Sequence, residues 1–552
     1  MKQLLIFLVL LAGGFSGYCQ HYDPDQITPK AKRWYERAQQ AMMMNSADDQ
    51  AKVIPFLEKA IQEDPRFLDA YAQIASLYER DRKYAQALPY FEKANQIDSL
   101  FLLPGYLMYA KAEAGTGNFE KALQLLAVYL QRPGLSADSR GSALQWKAHF
   151  AFGLESEQRH LPFNPVNLGD SINSPDPEYL PVLTIDQKTL IFTRNIGSRN
   201  EDFFISHLLD DSTWSGATPL GPPVNSRYNE GAQTISQDGK VLIYTICNRP
   251  DGMGSCDLYY ANRTTTGWSE PHDIGPPVNS PYWDTQPCLS PDNRDLYFVS
   301  NRTGGYGGSD IYVCHLQPDG HWGAPKNLGP DINTAGDESS PFIHADNRTL
   351  YFASSGWPGI GGVDLYYARK QADGSWGKPQ DLGYPINTIG HDGSLFVAAD
   401  GKTAYFASDR SDSRGKLDIY AFTLYPAARP TRTLYVQGYV YDKKTKVHLR
   451  AALDLIDLSS GKTLTHIPTD PDGSYLITLP VGKDYAFNVS KPGYLFYSDN
   501  FSLRDTTEGK PFHINIGLQP IELNARITLK NIFFDFDKFS LKPASTVELD
   551  RL

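Results

Sequence analysis

The pattern of hydrophobic and polar positions changes twice along the chain. Over residues 29–158, apolar residues recur at the spacing of an amphipathic helix. Over residues 163–425 and again over residues 433–520, short stretches alternate between apolar and polar residues, as in strands with one buried face. The pattern therefore predicts a mixed α and all-β protein, with helices first and two β regions after them.

The helical region contains an internal repeat. A predicted helix pair over residues 67–98 is followed by a second pair, in which Phe119 and Ala122 stand 35 residues after Tyr84 and Ala87. Small alanines where helices cross, with an aromatic residue at the turn, resemble tetratricopeptide repeats over residues 29–158. Such a stack either docks peptides and partner helices on its concave face or serves as a cap, and the sequence leaves both roles open.

The central region repeats one phrase five times. Each copy has an apolar residue, Gly, two variable residues, Val or Ile, and then Asn, and the glycines advance by 52, 54, 54 and 54 residues. A long, regular period is typical of a repeat architecture. The glycines of the phrase are Gly169, Gly221, Gly275, Gly329 and Gly383, and a tryptophan keeps the same period at Trp214, Trp268, Trp322 and Trp376.

Each repeat predicts four short strands. An Asp-Gly, Asp-Gln or Asp-Asn pair ends the first strand, because these residue types tolerate the positive φ of a tight turn. The second strand is predicted to end in an aromatic residue, namely Phe192, Tyr244, Phe298, Phe352 or Phe406. An Asp opens the third strand and the Trp segment is the fourth, so each repeat is predicted to be one propeller blade.

The two ends of the array predict how it closes. The fifth repeat stops after Phe422 without a Trp segment, while an equivalent of that strand, residues 163–168, stands before the first repeat. We therefore expect a five-bladed β-propeller over residues 163–425, in which the early strand completes the last blade and leaves no free sheet edge. These repeats resemble the TolB-type propeller repeats of bacterial envelope proteins.

The Asp that opens the third strand is the most regular candidate for chemistry. The five residues are Asp202, Asp257, Asp310, Asp364 and Asp418. A ring of carboxylates would suit a metal or ligand funnel, but a residue present in every repeat is explained more simply as an acceptor for backbone N–H groups at a turn. The sequence contains no His-Glu-x-x-His zinc motif and no Gly-x-Ser-x-Gly nucleophile motif. We therefore predict no enzymatic activity, no catalytic residue, no metal site and no cofactor.

Residues 433–520 predict a small β-sandwich. Alternating stretches at residues 434–441, 452–458, 474–479 and 485–490 are separated by turn signals. The phrases Thr469-Asp-Pro-Asp-Gly-Ser-Tyr475 and Lys491-Pro-Gly-Tyr494 resemble the regulatory-like domain found beside carboxypeptidases. That resemblance implies a non-catalytic module.

Residues 526–552 resemble the opening of an OmpA-like peptidoglycan-binding domain. The resemblance is carried by Ile532-Phe-Phe-Asp-Phe-Asp-Lys538 and by Leu541-Lys-Pro543. It covers only the first strand and the start of the first helix of that domain. We therefore expect a fragment of a peptidoglycan-anchored protein, which would bind peptidoglycan only through a complete C-terminal domain.

Residues 1–20 predict a secretory signal peptide. Lys2 precedes an apolar run that is too short to span a membrane, and small residues follow. Cys19 offers a lipid anchor as a less favoured alternative, because Tyr18 stands where the lipidation signal needs a small residue. Export predicts a periplasmic protein associated with the outer membrane. The net charge of −11 argues against nucleic acid as a partner.

Two of the five cysteines form a candidate disulfide. Cys247 ends a predicted second strand and Cys256 opens the next strand of the same repeat, so their side chains can face each other across one hairpin. An exported protein meets an oxidising compartment, where such a bond persists. Cys288 and Cys314 are predicted two strands apart, which is too far for a bond, and we expect them to be buried small residues.

The order of these regions resembles the modular OmpA-family proteins of the bacterial envelope, a group that includes a component of the type IX secretion system. The resemblance implies a non-enzymatic scaffold whose helical repeats and propeller contact envelope or secretion-complex proteins. The alternative is a glycan- or small-ligand-binding protein, or an enzyme, that uses the central cavity of the propeller. Polar residues specific to one or two blades near the axis would favour that alternative.

Overall fold

The computed structural model describes residues 22–44, 51–159, 161–197, 199–210, 213–410, 412–504 and 511–523, with short pieces between 525 and 549. The predicted signal peptide with Cys19 lies outside the described residues, as does most of the OmpA-like segment. The chain divides into two compact units, Met1–Glu155 and Ser156–Leu552. Within the described residues, no helix has both the length and the apolar character needed to cross a membrane.

The first unit is helical. The helices of ten or more residues that the structure describes are α1 (Pro29–Met43), α2 (Val53–Glu63), α3 (Leu68–Arg80), α4 (Tyr84–Ile97), α5 (Tyr106–Gly115), α6 (Phe119–Leu130) and α7 (Ala137–Glu157). The predicted pair over residues 67–98 is therefore α3 and α4. Gly115 explains the aromatic residue at the start of α4, because a Cβ added to this glycine would lie 2.2 Å from the ring of Tyr84. In the same way, a Cβ added to Gly153 would lie 2.4 Å from the ring of Phe119. The packing of an aromatic ring against a glycine therefore recurs from one helix pair to the next.

The second unit begins with a short strand, β1 (Val166–Asn167), which is followed by four sheets of consecutive antiparallel strands. Sheet I contains β2 (Glu178–Leu183), β3 (Thr189–Ile196), β4 (Asn200–His207) and β5 (Thr218–Pro219). Sheet II contains β6 (Asn229–Ile235), β7 (Val241–Cys247), β8 (Cys256–Asn262) and β9 (His272–Asp273). Sheet III contains β10 (Asp284–Leu289), β11 (Asp295–Ser300), β12 (Asp310–His315) and β13 (Lys326–Asn327). Sheet IV contains β14 (Glu338–Ile343), β15 (Thr349–Ser354), β16 (Asp364–Arg369) and β17 (Gln380–Asp381).

Sheet V combines the two ends of the array. It contains β18 (Gly393–Val397), β19 (Thr403–Ser408) and β20 (Asp418–Thr423), and β1 pairs with β20 so that Val166 lies opposite Ala421. The first strands of successive sheets contact one another, and β18 of sheet V contacts β2 of sheet I. The five sheets therefore follow one another in a cycle.

The turn chemistry of the repeats is confirmed, whereas two strand boundaries differ from the prediction. The residue after the turn Asp has positive φ in every repeat, at Gln187, Gly239, Asn293, Asn347 and Gly401. The aromatic residue does not end the second strand. Phe298, for example, lies inside β11 opposite Tyr312, because both rings are buried in the sheet. The tryptophans do not lie in the fourth strand either: Trp214 forms an isolated bridge with Leu208 ahead of the two-residue strand β5.

After the array the chain forms two further sheets around one core. The strands are β21 (Thr433–Asp442), β22 (Ala452–Asp457), β23 (Lys462–Pro468), β24 (Ser474–Pro480), β25 (Asp484–Ser490), β26 (Tyr494–Leu495), β27 (Tyr497–Ser502), β28 (Phe512–His513) and β29 (Ile516–Pro520). One sheet has the order β24-β21-β29-β26, with β28 also beside β21, and the other has the order β23-β22-β25-β27. Val436, Ile477 and Phe487 lie in the shared hydrophobic core. The four strands that the sequence predicts are present, and β23 and β26 to β29 are additional.

Candidate functional site

The Asn of the repeated phrase connects each sheet to the one before it. In sheet III, the Nδ2 group of Asn333 donates to the carbonyl oxygen of Ile311 at 2.9 Å, and its Oδ1 accepts the N–H of Ile311 at 2.9 Å. The side-chain amide therefore pairs with the backbone as a neighbouring strand would. The same two bonds join the other four pairs, namely Asn173 with Ile419, Asn225 with Phe203, Asn279 with Leu258 and Asn387 with Leu365.

The Asp of the third strand acts mainly as an acceptor at the preceding loop. Asp310 accepts the backbone N–H groups of Tyr306 and Gly307, at 2.6 and 3.2 Å. Asp257, Asp364 and Asp418 likewise accept N–H groups from the loop that precedes their strand. Asp202 instead accepts a side-chain N–H from Asn200 at 3.0 Å. Four of the five residues therefore make the backbone contacts that the turn interpretation predicts.

A second set of repeated carboxylates was missed by the sequence reasoning. The five residues, all buried, are Glu178, Glu230, Asp284, Glu338 and Asp392. Each stands five positions after the repeated Asn and accepts hydrogen bonds from the Ser or Thr that follows that Asn. A Ser or Thr after the Asn with an acidic residue four positions later was the available signal. Acidic residues are ordinarily exposed to solvent, so residue type alone did not predict that these five carboxylates are buried.

The buried carboxylates have different partners in different sheets. Arg194 donates to Glu178 at 2.6 Å, and Arg302 donates to Asp284 at 2.6 Å. In sheet IV the partner of Glu338 is the hydroxyl group of Ser354, also at 2.6 Å. Burial raises the pKa of Glu178 and Glu338 despite these partners. The repeat therefore keeps the buried carboxylate and varies the group that donates to it, which is an arginine in sheets I and III and a serine hydroxyl group in sheet IV.

Sheet II differs from sheets I and III in its arginine. Its nearby arginine, Arg249, donates to Asp251 at 2.8 Å instead. Burial raises the pKa of Glu230 to about 7, while its hydrogen bonds with Ser226 act in the opposite direction. Glu230 is therefore a buried carboxyl group with a pKa raised by burial to near neutral.

The cavity between the first strands is small. Residues of β2, β6, β10, β14 and β18 line a space of about 50 Å³, which is large enough for only a few water molecules. Each of these strands has a bulge at which one non-glycine residue adopts positive φ. The bulge residues are Leu180, Ala232, Gln286, Ser340 and Ser394.

Polar side chains on the cavity wall form hydrogen bonds between neighbouring sheets. The Oε1 atom of Gln233 accepts the hydroxyl hydrogen of Thr193 at 3.0 Å, and its Nε2 group donates to the carbonyl oxygens of Leu180 and Ile191. The Oε1 atom of Gln286 accepts the N–H of Ser340 at 2.6 Å. These amides come from sheets II and III only, but their hydrogen bonds join the first strands to their neighbours.

The C-terminal sheets pack on the array where three first strands end. Ile185, Ala345 and Ala399 follow β2, β14 and β18, and they form one buried cluster with Tyr435 and Leu476. The N–H of Thr433 donates to the carbonyl oxygen of Ala399 at 2.8 Å. Lys240 donates to Asp470 and Ser474. One end of the cavity is thus adjacent to β21 and β24.

The candidate disulfide residues lie directly opposite each other. Cys247 and Cys256 pair across β7 and β8, with Cα atoms 4.0 Å apart and their sulfur atoms bonded. Cys288 and Cys314 are buried and free, and burial raises the pKa of each thiol. Within the described residues, no three His, Cys, Asp or Glu side chains are grouped as ligands for a metal ion.

Comparisons with known proteins locate similar structures but no family. No family model and no curated protein matches the chain. A putative TolB from Agrobacterium tumefaciens is similar at 18% identity and a TM-score of 0.30, covering 58% of this chain and 98% of that one. An α-L-arabinofuranosidase from Lactobacillus brevis is similar at 16% identity and a TM-score of 0.33, covering 48% and 97%. A thermostable family-43 glycoside hydrolase is similar at 16% identity and a TM-score of 0.33, covering 47% and 96%. At these scores none of the three supplies an argument about function.

Proposed function

We propose that this chain is a non-enzymatic scaffold of the bacterial envelope. The five sheets would be the blades of one TolB-type propeller, preceded by tetratricopeptide-like repeats and followed by a carboxypeptidase regulatory-like sandwich. The protein would lie in the periplasm, associated with the outer membrane. It would contact envelope proteins, or those of a type IX secretion complex, through its helical repeats and propeller, in the manner of PorE.

The observation that supports this proposal is that the repeated polar groups form hydrogen bonds and ion pairs with other groups of the same fold. The side-chain amide of Asn333 pairs with backbone, Asp310 accepts loop N–H groups, and Asp284 is neutralised by Arg302. A catalytic or ligand-binding ring would leave such groups facing an open space. The axial cavity of about 50 Å³ is also smaller than a ligand pocket of roughly 300–1,000 Å³.

Affinity purification from envelope membranes tests the scaffold role. The tagged full chain would be cross-linked in intact cells and recovered, and its partners would be identified by mass spectrometry. A version lacking residues 29–158 is the matched control, because it keeps every sheet. We expect a defined set of envelope proteins with the full chain and the loss of some of them without the helices.

Two results would contradict the scaffold role. One is the absence of any reproducible partner. The other is turnover of a glycan by the purified chain, which would favour the alternative of an enzyme using the central cavity. Anchoring to peptidoglycan is a separate part of the proposal and requires a complete OmpA-like domain. Co-sedimentation with purified sacculi tests it by comparing this chain with a version that carries such a domain.

A further inference from the structure

An open groove lies beside sheet II, away from the axial cavity. Its volume is about 420 Å³, which falls within the range of small-molecule sites. Four charged side chains line it, namely Arg227, Arg249, Asp251 and Glu270. The ring of Tyr228 and three prolines supply apolar surface. The groove therefore combines a large apolar fraction with a few polar groups of both signs.

The two guanidinium groups are held in place. Arg249 donates from Nε to Asp251 at 2.8 Å, and its guanidinium lies 4.9 Å from the ring centre of Tyr259. Arg227 donates to the hydroxyl oxygen of Tyr228 at 2.8 Å, and its guanidinium lies 5.0 Å from the ring centre of Tyr228. Donors that are already oriented lose less conformational entropy when a ligand binds.

The loop that carries Arg249 and Asp251 is closed at its base. Cys247 and Cys256 flank it and are joined by the disulfide. Inside the bond, the N–H of Asn248 donates to the carbonyl oxygen of Ser255 at 2.8 Å. This wall of the groove is therefore constrained at both of its ends.

The groove breaks the symmetry of the repeats. In the next repeat, Pro281 and Tyr282 stand where Arg227 and Tyr228 stand in sheet II. The arginine of that repeat, Arg302, is turned to Asp284. Tyr228 itself recurs as Tyr282, so what is confined to sheet II is the combination of charged side chains around that ring, and this combination points to a binding role.

We propose that this groove binds a neutral oligosaccharide. Two guanidiniums and two carboxylates line it, so their formal charges cancel and neither an anion nor a cation is favoured. Sugar hydroxyl groups both donate and accept, and so can satisfy guanidinium donors and carboxylate acceptors together. The ring of Tyr228 and the prolines offer apolar surface to the C–H face of a sugar ring.

Isothermal titration of the full 552-residue chain with defined oligosaccharides tests the proposal. The probes are chitotetraose and maltotetraose as neutral ligands, and tetragalacturonate as the anionic one. We expect at least one neutral probe to bind with a dissociation constant of about 0.1–1 mM, which is the order found for weak, shallow sites. Raising the salt concentration tenfold should change that constant less than about twofold, because no net charge is paired.

Variants connect the binding to the groove. Tyr228→Ala should weaken binding about tenfold by removing the ring, whereas Tyr228→Phe should keep most of it. Tyr282→Ala is the control, because Tyr282 occupies the same repeat position, although it is more exposed to solvent than Tyr228, which packs partly against the core. Thermal melting of each variant separates lost binding from lost folding.

The proposal would be overturned by three results. These are the absence of binding by either neutral probe, binding of tetragalacturonate alone, and equal affinities for the wild type and a folded Tyr228→Ala variant. The scaffold role is tested independently, because recovery of protein partners by the Tyr228→Ala variant should match the wild type. Failure of the groove proposal would leave that recovery unchanged.

Discussion

The side chain of Asn173 is paired with the backbone of Ile419, which lies 246 residues further along the chain. Its Nδ2 group donates to the carbonyl oxygen at 3.0 Å and its Oδ1 accepts the N–H at 2.8 Å. In each of the other repeats the same bonds join an Asn to the sheet immediately before it. Asn173 therefore joins sheet I to sheet V, which stands immediately before sheet I in the cycle.

Removing one of these amides should be costly. Asn333→Ala would leave the N–H of Ile311 buried without its acceptor, whereas the carbonyl oxygen of Ile311 would keep the N–H of Leu328 at 3.1 Å. We expect a loss of about 1–3 kcal/mol in the free energy of unfolding, which is the usual cost of one unsatisfied buried group. Chemical denaturation measures the loss. Asn333→Asp keeps the acceptor but places a buried carboxylate against the carbonyl oxygen of Ile311, so it should also lose stability at neutral pH, and equal stability of all three proteins would contradict this role.

Sheet IV contains a pair of acids where sheet III has an acid and an amide. In sheet III, Asn327 donates to Asp310 at 2.8 Å. The corresponding residues of sheet IV are Asp381 and Asp364. Among the described residues, neither the Oδ2 atom of Asp381 nor the Oδ1 atom of Asp364 has a hydrogen-bond partner, and both atoms are buried. Burial raises the pKa of Asp381 to about 6 and that of Asp364 well above its usual value, with Asp392 adding to the shift of Asp364. Both positions in sheet IV are therefore acids with raised pKa values, and we predict that the two share a proton.

This pair should make stability depend on pH. The folded chain holds the proton more tightly than the unfolded chain, so the contribution of the pair to the free energy of unfolding falls as pH rises from about 4 to above 6. Asp381→Asn supplies the donor that sheet III has, and should raise stability by about 1–2 kcal/mol at pH 8. The gain should shrink towards pH 4, where the pair carries its proton. Other charged groups near the pair, such as Arg159 and Glu338, are present in both the wild type and the Asp381→Asn variant. They therefore do not account for a difference between the two proteins.

A reciprocal variant controls for the pH effect. Asn327→Asp creates a pair of acids in sheet III and should lower stability more at pH 8 than at pH 4. Thermal melting of both variants across this range gives the comparison. A gain from Asp381→Asn that is equal at every pH would contradict the shared proton.

The bond between Cys247 and Cys256 should form in protein recovered from the periplasm. A non-reduced digest analysed by mass spectrometry should contain the two peptides joined, and free thiols at both positions would contradict the prediction. Because the cysteines are nine residues apart, the chain-entropy model gives a stabilisation of about 2–3 kcal/mol. Replacing both by Ser should lower the free energy of unfolding by that amount.

The regular features of the sheets could be predicted from the sequence because each is repeated. Positive φ after the turn Asp follows from residue type, as at Gly239 and Asn293. The pairing of Cys247 with Cys256 follows from their places at the ends of two adjacent strands. Repetition thus compensates for the weak signal of any single strand.

Other features depend on tertiary contacts that local sequence does not encode. Leu180 adopts positive φ although it precedes a proline, because the strand bulges at the cavity. Glu178 is paired with Arg194 across β2 and β3, a contact that the local Ser174–Glu178 spacing does not predict. The groove beside sheet II is assembled from three separate stretches of chain, so no single motif marks it.

The closed cycle of five sheets depends on the pairing of β1 with β20. Val166 and Ala421 lie opposite each other, so Val166→Cys with Ala421→Cys should form a cross-link in the oxidised full chain. Closing so long a loop makes the denatured chain migrate faster on a non-reducing gel. Val166→Cys with Thr403→Cys is the control, because Thr403 lies on β19, which does not pair with β1. The faster band should appear only for the first pair of cysteines. Its absence there, or an equal band in the control, would contradict the closed cycle of five sheets.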